Sequence, residues 1–143
     1  MKNKAFTLLE LIVVIMIIGV LATLGFTQYG RMVEKTRGAE LRMIIGDMRK
    51  LAASYYLQNG SLIGITDANV NIGTAADQFP SACRSSHYFR YDLFVGGTQD
   101  CQLLGYRCTS GGKSPQGTVE DWRGLYLNTE TGQDSGWYGP GNY

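Results

Sequence analysis

A short charged stretch opens the chain and gives way at Phe6 to an apolar run that reaches Phe26 with one charged residue, Glu10, inside it. A helix of about 20 apolar residues spans a hydrocarbon core about 30 Å thick, and residues 6–26 supply that length. From Leu41 the pattern becomes amphipathic. Leu41, Ile44, Ile45, Met48, Leu51, Ala52 and Tyr55 recur at spacings of three and four and share one face, while Arg37, Glu40, Arg42, Asp47, Arg49 and Lys50 take the others. Asn59-Gly60 is a stop signal, since both residues tolerate the left-handed conformation that closes many helices. One helix over residues 6–58, roughly 80 Å long, is therefore predicted. Its first half is membrane-spanning and its second half packs on a head.

After Gly60 the helical period disappears. Residues 60–80 are small and polar and read as a loop joining the helix to a sheet. Strands are predicted from His87 to Val95, closed by Gly96-Gly97, from Cys101 to Cys108, and over Gly124–Asn128 before a turn at Thr131-Gly132. The glycine-rich tail Gly136–Tyr143 suits a short last strand or an ordered coil. The expected class is α+β: a leader (1–5), a long helix (6–58) with its membrane segment (6–26), and a head (59–143) with a small antiparallel sheet of three or four strands.

Glu10 is the chemical anomaly. A carboxylate within a membrane segment costs a few kcal/mol or more and calls for a partner. A secretory signal would end in a small-residue cleavage junction after the apolar run. Here the run continues through Leu21-Ala22-Thr23-Leu24-Gly25-Phe26 without charge or proline. An uncleaved anchor or a simple single-span protein accounts for the hydropathy and leaves Glu10 unexplained.

The leader Lys2-Asn3-Lys4-Ala5, the stretch Phe6-Thr7-Leu8-Leu9-Glu10 and the apolar Leu11-Ile12-Val13-Val14-Ile15 stand in register. At these residues the chain resembles the type IV pilin family, including the pseudopilins of type II secretion. The resemblance covers residues 1 to about 58 well and the remainder in outline. It implies a pilin fold and cleavage between Ala5 and Phe6 by a prepilin peptidase on the cytoplasmic face. The same enzyme would then methylate the new Phe6 amine. Lys2 and Lys4 keep the leader in the cytoplasm by the positive-inside rule. Two positions depart from the family pattern: Ala5 stands where Gly is usual, and Thr27 where Pro is frequent.

Cleavage would leave a cationic amine four residues from Glu10, and pairing offsets much of the cost of charges in an apolar medium. If the carboxylate of one subunit faces the Phe6 amine of its neighbour, the pair sets the axial register of a helix bundle. Glu10 and Phe6 are thus the expected assembly residues. The alternative is a carboxylate that snorkels to the membrane interface. The resemblance further implies a single-pass precursor in the inner membrane, held by lipid and then passed by an assembly platform into a homopolymeric surface filament. It does not choose among motility, adhesion, DNA uptake and electron transport. A pseudopilin, or a minor pilin serving as adhesin or DNA-uptake receptor, are the alternatives; the tail lacks the Asp-rich segment expected of a major pseudopilin.

Composition narrows the head. The 143 residues are 44% apolar with the membrane run included, so the soluble core is modest. Without Lys2 and Lys4, 11 basic residues face 12 acidic ones, and net charge gives nucleic acid no general claim. Cys83, Cys101 and Cys108 all lie in the part that would be exported, which favours a disulfide. If 101–108 is one strand its ends are about 23 Å apart, far beyond the roughly 7 Å that a bridge allows. A hairpin turning at 96–100 sets Cys108 opposite Tyr88, so Cys83 with Cys108 is the first choice and Cys83 with Cys101 the second. The remaining cysteine is either buried or available to another chain.

Other signals are weaker. Gly30, Gly38 and Gly46 recur every eight residues, through close packing in a filament or by coincidence. Asp67-x-Asn69-x-Asn71 begins like a calcium loop, but Gly comes at 73 rather than 72 and Gln78 occupies the position that needs Glu. The single histidine, His87, has no catalytic partner at a motif spacing. No zinc, haem or phosphate-loop pattern occurs, so neither metal nor cofactor is expected, and the chain does not read as an enzyme. Arg84, Arg90, Arg107 and Arg123 interleave with Tyr88, Tyr91, Tyr106 and Trp122. They suit either the outer face of the sheet or a stacking platform for single-stranded nucleic acid.

Overall fold

A computed structural model describes residues 6–115, 122–128 and 134–138, the last two segments by their backbone alone. The leader, with Ala5, and the turn at Thr131-Gly132 lie outside the described residues, as do the side chains of Trp122 and Arg123.

Helix α1 runs unbroken from Leu8 to Asn59. It passes Gly19 and Gly25 without loosening, and Thr23 Oγ1 folds back onto the carbonyls of Gly19 (2.7 Å) and Val20 (3.1 Å). Gly60 ends it at φ 69°, its amide donating to Tyr56 O, so the left-handed cap expected at Asn59-Gly60 is formed. Every residue from Phe6 to Phe26 is exposed in the single chain. The buried positions begin at Glu34 and continue through Gly38, Leu41, Ile45, Met48 and Ala52, alternating steps of four and three. Leu51, expected on this face, is 39% exposed. At about 100° per residue it falls well to one side of the Met48–Ala52 line.

The segment after Gly60 holds more structure than a plain loop. A 3-10 turn (Asp67–Val70) is followed by two short parallel strands, β1 (Ile72–Gly73) and β2 (Phe79–Pro80). Leu62, Ile65, Val70 and Ile72 from this segment are buried, so it completes the core instead of spanning a gap. The main sheet is antiparallel in the order β3 (Phe89–Val95), β4 (Asp100–Arg107), β5 (Trp122–Asn128), β6 (Asp134–Tyr138). Strand β3 starts at Phe89 and not His87, because residues 84–87 form a turn in which His87 N donates to Arg84 O (2.9 Å).

Alternation decides which face of the sheet meets α1. Phe89, Tyr91, Cys101, Leu103, Gly105 and Arg107 point inward and are buried. Gly105 is the point of closest approach: a Cβ there would lie 2.1 Å from Leu41 Cδ1. The helix and sheet seat against each other because this position has no side chain. Of the three evenly spaced helical glycines, Gly38 is buried while Gly30 and Gly46 are half-exposed. Eight residues at about 100° each leave successive members about 80° apart, so they do not share a face.

Candidate functional site

The first site is the helix tip. Thr7 is extended (φ −79°, ψ 147°), and its Oγ1 accepts from Glu10 N at 3.2 Å. Glu10 Oε2 reaches back to accept from Thr7 N (3.0 Å) and Thr7 Oγ1 (2.8 Å). This reciprocal capping box satisfies two of the amides that a helix start leaves without partners, and it sets a negative charge at the positive end of the helix dipole. The signature was legible as Thr7-x-x-Glu10 but is masked by the apolar residues around it. Glu10 therefore has a partner within its own chain. Its other oxygen, Oε1, has none among the described residues and remains able to accept from a second donor. Phe6, one residue before the cap and 73% exposed, carries the amine that cleavage after Ala5 would create.

The second site fastens α1 to the head through two residues 73 positions apart, which no local pattern in the sequence brings together. Arg107, on the inner face of β4, donates from Nε to Glu34 Oε2 (2.9 Å) and from Nη2 to Glu34 Oε1 (3.2 Å). Its Nη1 donates to the carbonyls of Tyr88 (2.8 Å), Cys108 (2.9 Å) and Lys113 (2.9 Å). Arg37 closes on Glu34 Oε1 from the other side and lies 4.1 Å over the Tyr88 ring. One guanidinium thereby joins the helix, the entry to β3 and the segment after β4. The available signal was a charged residue on the buried stripe, since Glu34 lies seven residues before Leu41.

Cys83 is bonded to Cys108, with Cα atoms 5.7 Å apart, and Cys108 N donates to Tyr88 O as the hairpin register requires. The alternative bridge to Cys101 is not formed. Cys101 is buried on the inner face of the sheet against the helix, and burial pushes its thiol up to about 11. Burial likewise raises the Tyr91 phenol well above its ordinary value.

The remaining candidates separate. Tyr91 and Arg107 lie on the inner face of the sheet, against the expectation that the Arg and aromatic residues form its outer face. The strand period sends alternate members of the series to opposite faces. Arg90 stacks on Tyr106 at 4.1 Å on the outer face, while Arg84 is engaged with the Gly73 and Ala75 carbonyls. The described members of the series do not meet on one surface. Asn69 Oδ1 accepts from Thr66 N and Thr66 Oγ1, capping the 3-10 turn. Asp67 is raised above the usual carboxylate range, mainly by desolvation and then by Asp92. The His87 ring nitrogen Nδ1 lies 2.8 Å from Ser86 Oγ. Among the described residues no three metal-ligating side chains meet.

No solved structure matches the chain. Residues 1–26 match the family described as the prokaryotic N-terminal methylation motif, which fits the pilin and pseudopilin family in general and a precursor of that kind.

Proposed function

We propose that the chain is a structural subunit of a type IV pilus, cut between Ala5 and Phe6, methylated on the Phe6 amine and polymerised through the first half of α1. The observation that carries this reading is the conjunction at the helix tip. A methylation-motif match over 1–26 coincides with an apolar segment exposed from Phe6 to Phe26, and with one carboxylate four residues past Phe6. An exposed apolar surface of that extent needs either lipid or other copies of itself. Glu10 keeps Thr7 capped before assembly, and its open Oε1 accepts the Phe6 amine of a neighbouring subunit afterwards. The disulfide-closed head favours a pilus subunit over a secretion pseudopilin. In this reading the inner-membrane precursor becomes an extracellular filament, and the molecule has no catalytic centre.

The test is Glu10→Val. Removing the charge should ease membrane insertion, since an acid near a helix centre costs about 2.5–3.5 kcal/mol on insertion scales. It should nevertheless cut the yield of sheared filaments sharply, because the buried amine of the neighbour loses its acceptor. Wild-type filament abundance from Glu10→Val would defeat the register role.

A further inference from the structure

We propose that the face of α1 just beyond the apolar run is a binding site for a phospholipid with an anionic headgroup, in which Arg31 and Lys35 hold the phosphate and the surface at Gly25 and Met32 receives the upper acyl chain. The inference rests on the proposed function in one respect, that residues 6–26 lie in a bilayer with the head outside. Gly25, Gln28, Tyr29, Arg31, Met32 and Lys35 line one concavity on the helix surface. Steps of three and four place Gln28, Arg31 and Lys35 together along one flank, with Gly25 and Met32 beside them. Nothing lies within 4 Å of where a Cβ of Gly25 would be, so the lower end of the concavity is an open notch at the depth where the apolar run ends.

The polar half of the concavity is cationic and open. Arg31 and Lys35 are exposed and have no ion pair or hydrogen bond among the described residues. The nearest acid in sequence, Glu34, is buried and engaged by Arg107 and Arg37. Tyr29, 65% exposed, stands at the level where aromatic side chains gather at membrane interfaces. Arg31 lies about 7 Å above Phe26 along the helix, within the headgroup layer, and Lys35 about 13 Å above it, within reach of that layer for a long side chain.

Charge placement supplies the second argument. Cytoplasmic flanks normally carry the excess of Lys and Arg. Removal of the leader takes away Lys2 and Lys4 and leaves Arg31 and Lys35 as the flanking cations, on the outer side of the bilayer. A position that runs against the usual bias and leaves two cations unpaired suits an anionic surface facing them, and each cation near such a surface contributes about fivefold to association.

The experiment uses the full chain, reconstituted in phosphatidylcholine bilayers that contain spin-labelled phosphatidylglycerol or spin-labelled phosphatidylcholine. Motionally restricted lipid is read by electron spin resonance. The wild type should retain phosphatidylglycerol in preference to phosphatidylcholine, with the preference falling about fivefold for each of Arg31→Gln and Lys35→Gln. Lys50→Gln, which removes an equal charge higher on the helix, should leave it unchanged. Inorganic phosphate at matched ionic strength should not compete, because the acyl chain holds the headgroup in place. Equal retention of both lipids overturns the proposal. So does an effect of Lys50→Gln as large as that of Lys35→Gln, or displacement by inorganic phosphate, which would mark a site for free anions. A chain that fails to insert at all overturns the membrane reading as well, and is told apart from an inserted chain that shows no preference.

Discussion

Replacing Arg107 with Met should destabilise the head more than any other single change at the seam between helix and sheet. The Arg107 and Glu34 side chains are 0% and 3% exposed, so neither can turn to water when its partner goes. Glu34 keeps Arg37 on its Oε1, so losing Arg107 costs it about 3 kcal/mol, the low end for a broken buried pair. The Cys108 carbonyl, whose bond to Arg107 is also buried, adds about 1–3 kcal/mol. The expected loss of about 4–6 kcal/mol approaches the whole stability of a marginal domain. Glu34→Met should cost less, about 3 kcal/mol, because Arg107 keeps its three carbonyl acceptors. Combining Glu34→Met with Arg107→Met removes both charges, so the pair should cost at least about 2 kcal/mol less than the two single changes added together. Urea denaturation of the full chain in detergent, followed by the near-ultraviolet dichroism of the head, measures all four proteins. An Arg107→Met protein within about 0.5 kcal/mol of the parent, or strict additivity in the cycle, would refute the reasoning.

Three further outcomes follow from the head. Gly105→Ala forces a Cβ toward Leu41 Cδ1 and should cost about 1–3 kcal/mol in the same denaturation, whereas Gly97→Ala, with open space around it, should cost less than about 1 kcal/mol. Reducing the Cys83–Cys108 bond, which closes a loop with a sequence separation of 25, should lower stability by about 3.5 kcal/mol; a reduced head as stable as the oxidised one would contradict the staple. Cys101 should resist iodoacetamide at neutral pH in the folded protein and react once unfolded, as read by intact mass; rapid native labelling would show that this thiol is not enclosed against the helix.

Local chemistry made much of this molecule legible. The long helix, its left-handed stop at Gly60 and the β3–β4 hairpin follow from period and turn residues. The register that opposes Cys108 to Tyr88 led to the observed disulfide, because a two-residue period and a fixed turn leave little freedom. What escaped depends on contacts between distant segments. Glu34 and Arg107 stand 73 residues apart, and each alone resembles a surface charge. The role of Gly105 exists only once Leu41 is placed over it. The parallel pairing of β1 with β2 joins segments too short to carry a pattern of their own. The capping function of Glu10 lies in the Thr7-x-x-Glu10 spacing, a signal that an apolar run around it obscures.

The central claim, that the chain is cut before Phe6 and enters a filament in that form, is tested most directly by the intact mass and amino-terminal sequence of the protein in sheared surface filaments. The account predicts a subunit that begins at Phe6 and is heavier by about 14 Da, the mass of one methyl group on its amine. Filaments built from subunits that still begin at Met1 would contradict it.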